Sequence, residues 1–333
     1  MKIKVYFATL PNGYFGSAAN SWDTLDIELL SKPFRSNAFD IKYISITDIT
    51  NIEFNTSDIL IYTSSHNPEV RQYLKDILYY IKDKCLLVPK YEILLGHENK
   101  GFQEVMRKEL GITRLSGEYF FDIEYMNTPT PFVLKTPDGS GSSGVNLIKN
   151  ATILKDIKKN VLKTDKKRKI KNIIRSKQLS NEQYLRYLYV YKNFKRYVAQ
   201  PFLDNLTCDY RILAIQDRFY AMRRDVKKGD FRASGSKRFH YHDVPIEVLA
   251  YAKEISSKVD NPYLSIDLAF KNNVPYLIEF QGTNFGSSVV RNSKGYYTLS
   301  PTDEWEFHTQ KPQLEEALSH GLYQYIQRRS IHR

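Results

Sequence analysis

Cysteine is nearly missing from this sequence. Only Cys85 and Cys208 occur in 333 residues, in no C-x-x-C or Cys/His spacing. That excludes a disulfide framework and a zinc or dithiol motif, and it suits a reducing cytoplasm. Long apolar runs are missing too. No stretch approaches the roughly 18 residues of a membrane span. The N-terminal MKIKVYFATLP has too short an apolar run for a signal peptide and reads as a first strand. No G-x-x-x-x-G-K-[ST] occurs, so a Walker A phosphate loop is excluded. No Ser/His or Cys/His constellation is visible, and a covalent nucleophile on the chain is not expected. There is no internal repeat.

What is present is a folded chain: 42% of residues are hydrophobic and 14% aromatic, enough for two or three domains with a sizeable core. The net charge of +12 is unevenly spread. Residues 155–177, KDIKKNVLKTDKKRKIKNIIRSK, hold eleven Lys/Arg against two Asp, which is nine of those twelve charges. Such a run reads as a solvated helical insertion, with an anionic partner as the functional alternative.

The first hundred residues alternate. KVYFAT (4–9), IKYISI (41–46), DILIYTSS (58–65) and CLLVPK (85–90) have strand composition. Helical patterns lie between them: TLDIELLSKPF, with Asp23 as its cap, and PEVRQYLKDILYYIKDK at 68–84. This order predicts a parallel α/β layer. A helix is expected over 98–110, ending at Gly111. FVLK (132–135) and VNLI (145–148) flank KTPDGSGSSGVN, where Gly/Ser composition fits either a linker or a loop over phosphates. Strand–loop–strand is a hairpin. YVAQPF (197–202), YRILAI (210–215) and FYAMRR (219–224) form a second set of strands, EVLAYAKEISSKV (247–259) is helical, and YLSIDLAF (263–270) and PYLIEF (275–280) make a last hairpin around KNNV. The C-terminal PQLEEALSHGLYQYIQRR reads as an amphipathic helix.

The chemistry concentrates in that last hairpin. Glu279 and Gln281 share one strand face by alternation, and Asp267 falls opposite them across the turn. Two carboxylates and an amide oxygen are hard ligands suited to Mg²⁺, against the plainer reading of acidic residues at strand ends. AMRRDVKKGDFRASGSKR (221–238) offers Arg223, Arg224 and Arg232 as fixed forks for phosphate or carboxylate. Lys100 and Lys135 stand at a helix start and a strand end. His240 and His242, in FHYHD, read as structural or substrate-contacting.

Taken in order, NKGFQEVMRKELGI (99–112), FVLKTPDGSGSSGV (132–145), AQPFLDNLTCDYRILAI (199–215), MRRDVKKGDFRAS (222–234) and SIDLAFKNNVPYLIEFQGT (265–283) resemble the ATP-grasp superfamily. The likeness is to carboxylate–amine ligases such as those adding glutamate to a ribosomal protein. The resemblance implies an α/β chain, α+β in its C-terminal part. Residues 1–97 would form a parallel α/β domain. Residues 98–195 would be a small lobe carrying the Gly/Ser hairpin and the basic insertion, and 196–333 a large lobe with the metal site; the two lobes clamp ATP.

Carried over, Lys135 would contact the α-phosphate and adenine side, and Lys100 the phosphates. Gly139, Ser140, Gly141, Ser142, Ser143 and Gly144 would close over the triphosphate through backbone N–H groups. Gln200, Pro201, Phe202 and Leu203 would pair with the adenine edge, and Asp204 or Asp209 would take the ribose. Asp267, Glu279 and Gln281 would hold one or two Mg²⁺, while Arg211 and Arg232 would offset charge on the transferred phosphoryl group or its acceptor. Gln281 stands where the family usually has Asn, with Asn284 as an alternative ligand. Pro201 replaces a common acidic residue, and ASGSKRF departs from the pattern after GDFR. The basic insertion has no family counterpart.

The expected activity is therefore ATP- and Mg²⁺-dependent amide formation through an acyl phosphate. The acceptor would be a small molecule, peptide or glycan bearing a carboxylate. The alternatives are a kinase on the same fold, phosphorylating a hydroxyl or amide, and a non-catalytic binder of nucleic acid or polyanions through 155–177.

Overall fold

The computed structural model describes residues 2–16, 22–35, 39–139, 144–161, 166–227, 229–233 and 238–331. Its first part runs β1 (Ile3–Thr9), α1 (Ile27–Ser31), β2 (Phe39–Ser45), β3 (Ile59–Tyr62), α2 (Pro68–Ile81), β4 (Leu86–Val88), α3 (Tyr91–Gly96) and α4 (Lys100–Glu109). The four strands form one all-parallel sheet in the order β2-β1-β3-β4. Val5 to Ala8 and Ile59 to Tyr62 are buried without a break, the run a parallel strand covered on both faces demands. The Asn67 side chain caps α2 by accepting from the Glu69 amide at 2.9 Å; Leu74, Ile77, Leu78 and Ile81 then repeat at helical spacing and turn inward. α1 begins later than the sequence pattern suggests. Its cap is Asp26 rather than Asp23, because the Asp26 carboxylate accepts from the Glu28 and Leu29 amides.

Next come β5 (Glu118–Phe120), β6 (Phe132–Lys135), β7 (Val145–Ile148), α5 (Ala151–Val161), α6 (Lys166–Gln178), α7 (Asn181–Val190) and β8 (Tyr197–Pro201). β5-β8-β6-β7 is an antiparallel sheet, with β6 and β7 the expected hairpin. The described residues of the basic insertion, in α5 and α6, are helical, as the composition implies. The remainder is β9 (Cys208–Ile215), β10 (Arg218–Asp225), β11 (Phe239–His240), α8 (Ile246–Val259), β12 (Leu264–Lys271), β13 (Val274–Gln281), α9 (Ser288–Asn292), β14 (Gly295–Leu299), β15 (Trp305–Thr309) and α10 (Leu314–Ile331).

These strands build the largest sheet, antiparallel throughout, in the order β13-β12-β9-β10-β14-β15. The β12–β13 turn sits on Asn272 and Asn273 at φ 52° and 60°, left-handed positions Asn tolerates well in tight hairpins. The β14–β15 hairpin was not legible in the sequence: its residues are mostly half-exposed, so no apolar alternation marks it. α8 covers one face of this sheet through Val248, Leu249, Ala252, Ile255 and Val259. On the other face Leu213, Ile215, Tyr220 and Met222 share a cluster with α10 and with Val5, Phe7, Ile59 and Ile61 of the parallel sheet. One continuous core thus joins the first and third sheets.

The join between α4 and the second sheet rests on buried charge. Arg107 is 1% exposed; it donates to Glu104 Oε1 at 2.9 Å and to the Arg114 carbonyl at 2.9 Å. Glu104 Oε2 accepts from the Gly117 amide at 2.7 Å. Removing one member strands the other in a dry site. Arg107→Ala is expected to lower unfolding stability by about 3–5 kcal/mol, and the joint replacement Arg107→Met with Glu104→Leu to recover most of it. Urea unfolding midpoints measure both.

Candidate functional site

Alternation on β9 puts Asp209 and Arg211 on one face, and the register supplies their partners. Arg224 of β10 lies opposite Asp209, and Asp267 of β12 lies opposite Arg211. Arg211 grips Asp267 with two bonds of 2.7 Å, from Nε to Oδ1 and Nη2 to Oδ2. Arg224 grips Asp209 at 2.5 and 2.8 Å and also reaches Asp267 Oδ2 at 2.9 Å. Asp209, Arg224 and Asp267 are buried. Burial pushes the Asp267 carboxyl up, but the guanidiniums of Arg211 and Arg224 outweigh it and hold the group well below the usual carboxylate range. Burial pushes Asp209 up to about 6 against the pull of Arg224. The quartet carries two charges of each sign and is neutral as a unit.

Beside the quartet the hairpin register sets Glu279 opposite Asp267 and Gln281 opposite Ser265, with a bulge following Asp267. Lys100, at the first turn of α4, is placed by Asn99, whose side chain accepts from the Phe102 amide at 3.2 Å. Its Nζ donates to the Gly139 carbonyl at 2.6 Å and lies 3.7 Å from Glu279 Oε2. Lys135, the last residue of β6, donates to Gln200 Oε1 at 2.6 Å. Gln200 in turn donates to the Leu115 carbonyl at 2.9 Å. Burial lowers Lys135 to about 8, with Glu279 opposing.

All of these groups border a cavity of about 350 Å³ between the two antiparallel sheets. Its apolar wall comes from Val133, Val145, Phe202, Leu203 and Ile278; Pro201, Gly139, Arg232 and Asn284 also line it. Arg232 is braced by Asp230 through two bonds of 3.0 Å. Gly144 closes the base of the hairpin at φ +69°, and a Cβ there would meet Thr136 Oγ1 at 2.1 Å, so any other residue strains the backbone and displaces the Thr136 side chain.

Twelve of the site residues expected from the sequence line this cavity, as do the alternatives Asp209 and Asn284. Ser140, Gly141, Ser142 and Ser143, expected at the hairpin tip, lie outside the described residues. Asp204 does not border the cavity: it is exposed and paired with Lys271. Asp209 does line the cavity, with both its oxygens accepting from Arg224. Arg224, offered in the sequence as a fork for phosphate or carboxylate, is instead engaged by Asp209 and Asp267. A two-residue turn at Gln216 and Asp217 pairs Ile215 with Arg218 and, counted back, Asp209 with Arg224; that count was the available signal.

As a cation site the arrangement has specific donors. Gln281 Oε1 is buried and has no hydrogen-bond partner. Asp267 Oδ2 is used by both arginines, but Oδ1 by Arg211 Nε alone, which leaves it a lone pair. Among the described residues no group of three His, Cys, Asp or Glu is placed to bind a metal, so any cation would rest on two carboxylates and an amide.

No family model matches the sequence, and no curated protein does. Solved structures do. A D-cycloserine synthetase, DcsG, superposes with a TM-score of 0.55 at 10% identity, over 97% of this chain and 99% of that one. A RimK-domain ATP-grasp protein from Sphaerobacter thermophilus gives 0.52 at 10% identity, over 96% and 99%. A D-alanine–D-alanine ligase from Bacillus anthracis, complexed with ATP, gives 0.50 at 10% identity, over 99% and 100%. The chain therefore has the ATP-grasp fold expected from its motifs.

The ammonium of Lys135 is costly where it stands. Its pKa is about 8 in the fold against about 10.4 in an unfolded chain. Between those values the unfolded state binds more protons, so stability rises with pH across that window and is lowest below it. Lys135→Met is expected to flatten this rise and to leave the neutral-pH melting temperature unchanged or higher. Thermal melts of both proteins from pH 7 to 10.5 measure it.

Proposed function

We propose that the chain is an ATP- and Mg²⁺-dependent carboxylate–amine ligase. The observation that carries this reading is the convergence of Lys100, Lys135, Arg211, Arg232, Asp267, Glu279 and Gln281 on one cavity between two antiparallel sheets. The similar solved structures include named ligases, one complexed with ATP, which supports it.

The apolar wall of Val133, Val145, Phe202, Leu203 and Ile278 suits a flat heterocycle. Lys135 and Lys100 then face the phosphates; the first is already stripped of water, so an anion recovers its desolvation cost. Asp267, Glu279 and Gln281 would hold Mg²⁺, whose chemistry is to neutralise charge on the phosphate oxygens. Arg211 and Arg232 line the same cavity; each commits its Nε and Nη2 to Asp267 or Asp230, and the remaining N–H groups would serve the acceptor carboxylate. The γ-phosphoryl group passes from ATP to a carboxylate oxygen as its bond to ADP breaks. An amine attacks the resulting acyl carbon, the amide forms, one proton leaves the nitrogen, and phosphate departs carrying the carboxylate oxygen. The chain's part is orientation and fixed positive charge.

ADP release across a matrix of carboxylates and amines tests this. The ligase reading expects ADP only when both are present, with ¹⁸O from a labelled carboxylate appearing in the released phosphate. A stable phosphorylated product from a single acceptor would make the protein a kinase instead. Glu279→Gln is expected to lower the rate of ADP release by roughly 10²–10³-fold with little change in melting temperature. Nucleotide affinity should hold steady below about pH 8 and weaken above it, because binding must then supply Lys135 with a proton; calorimetry in buffers of different ionisation enthalpy reads that uptake.

A further inference from the structure

The basic insertion stands outside this chemistry, and its surface is unusual in a way that charge alone does not explain. α6 reads KKRKIKNIIRSKQ, seven cations and no acid. On the same helix Ile170 and Ile173 are each 59% exposed and Ile174 49%. The spacing 170, 173, 174 places the three on one side of the helix. Lys167 and Lys171 fall at that stripe's flank by the same count. α7 continues the pattern, with Leu185 67% and Val190 68% exposed beside exposed Tyr189 and Tyr191. No residue of α6 or α7 enters any of the four apolar clusters; only α5 contributes, through Ile153, Leu154, Ile157 and Val161 against the second sheet.

We infer that α6, with the exposed apolar end of α7, is a docking surface for an anionic lipid bilayer, lying in the headgroup plane with its isoleucines inserted. Two features select this occupant. A nucleic acid or soluble polyanion would use the cations and gain nothing from three isoleucines held in water. A protein interface core is depleted in charged residues, and lysine above all, whereas here cations crowd the stripe. An interfacial helix needs both: apolar side chains to enter the acyl boundary and long basic stems to reach the headgroups. No helix among the described residues is long and apolar enough to cross a membrane, so the association would be peripheral. The catalytic cavity contains none of these residues, and the inference stands whether or not the ligase reading does.

Flotation of the full chain with vesicles of phosphatidylcholine and phosphatidylglycerol in equal parts, against pure phosphatidylcholine, tests it. Binding to the anionic vesicles alone is expected, weakened by salt. The triple change Ile170→Ser, Ile173→Ser, Ile174→Ser should reduce binding on the order of tenfold or more, and Lys167→Ala with Lys171→Ala by about tenfold. All these side chains lie on the surface, so melting temperatures should match the unmodified protein. Absence of flotation overturns the proposal. So does binding that the isoleucine changes leave intact while the lysine changes and added RNA abolish it, the signature of a polyanion site.

Discussion

A carboxylate shared between two arginines fixes the geometry of this protein's cavity. Asp267 sits on β12, next to the edge strand β13 of the largest sheet, one strand from Arg211, and is reached by Arg224 from two strands away. Charges so deeply placed are tolerated only when each is answered, and the register answers all four: Asp209 with Arg224, Asp267 with Arg211. That requirement leaves Asp267 a single orientation. The carboxylate that faces the cavity is therefore positioned by residues behind it, and Glu279 and Gln281 follow because they share its hairpin. Preorganisation of this kind is what a charged transition state needs.

The opposite wall works differently. Lys135 is buried against Gln200, and the carboxylates of Glu279 and Glu104 only partly offset its desolvation, a local sacrifice of stability. The chain tolerates it because the surrounding strand β6 is buried throughout and the apolar cluster under it is intact. An ammonium whose burial is only partly offset, in a partly apolar cavity, marks where an anion is wanted. Lys100 complements it from another element and ties α4 to the hairpin at Gly139, so whatever occupies the cavity is felt by two sheets at once.

Much of this was legible in the residues. The alternating first hundred positions specified a parallel sheet, because continuous apolar runs between helical patterns have few other uses. The Asp267-to-Glu279 interval specified a hairpin with both carboxylates on one face, and the Asn272–Asn273 turn delivered it. What could not be read came from long range. Arg224 read as one of three forks for phosphate or carboxylate, and only pairing across the β9–β10 turn shows that it is buried against Asp209. Asp204, five residues before Asp209 and equally acidic, turned outward to Lys271 because it follows the end of β8. The hairpin β14–β15 was invisible because its side chains are neither in nor out. The charge run at 155–177 announced a helical insertion, but the exposure of Ile170, Ile173 and Ile174 belongs to the folded surface alone.

The central claim is that the two lysines and the last hairpin hold one nucleotide. A crystal structure with Mg²⁺ and a non-hydrolysable ATP analogue tests it most directly. The account predicts the triphosphate between Lys100 and Lys135, with the cation bonded to Glu279, Gln281 and the Oδ1 of an Asp267 still gripped by Arg211. A triphosphate bound away from those lysines, or a cation that draws no oxygen from the hairpin, would contradict it.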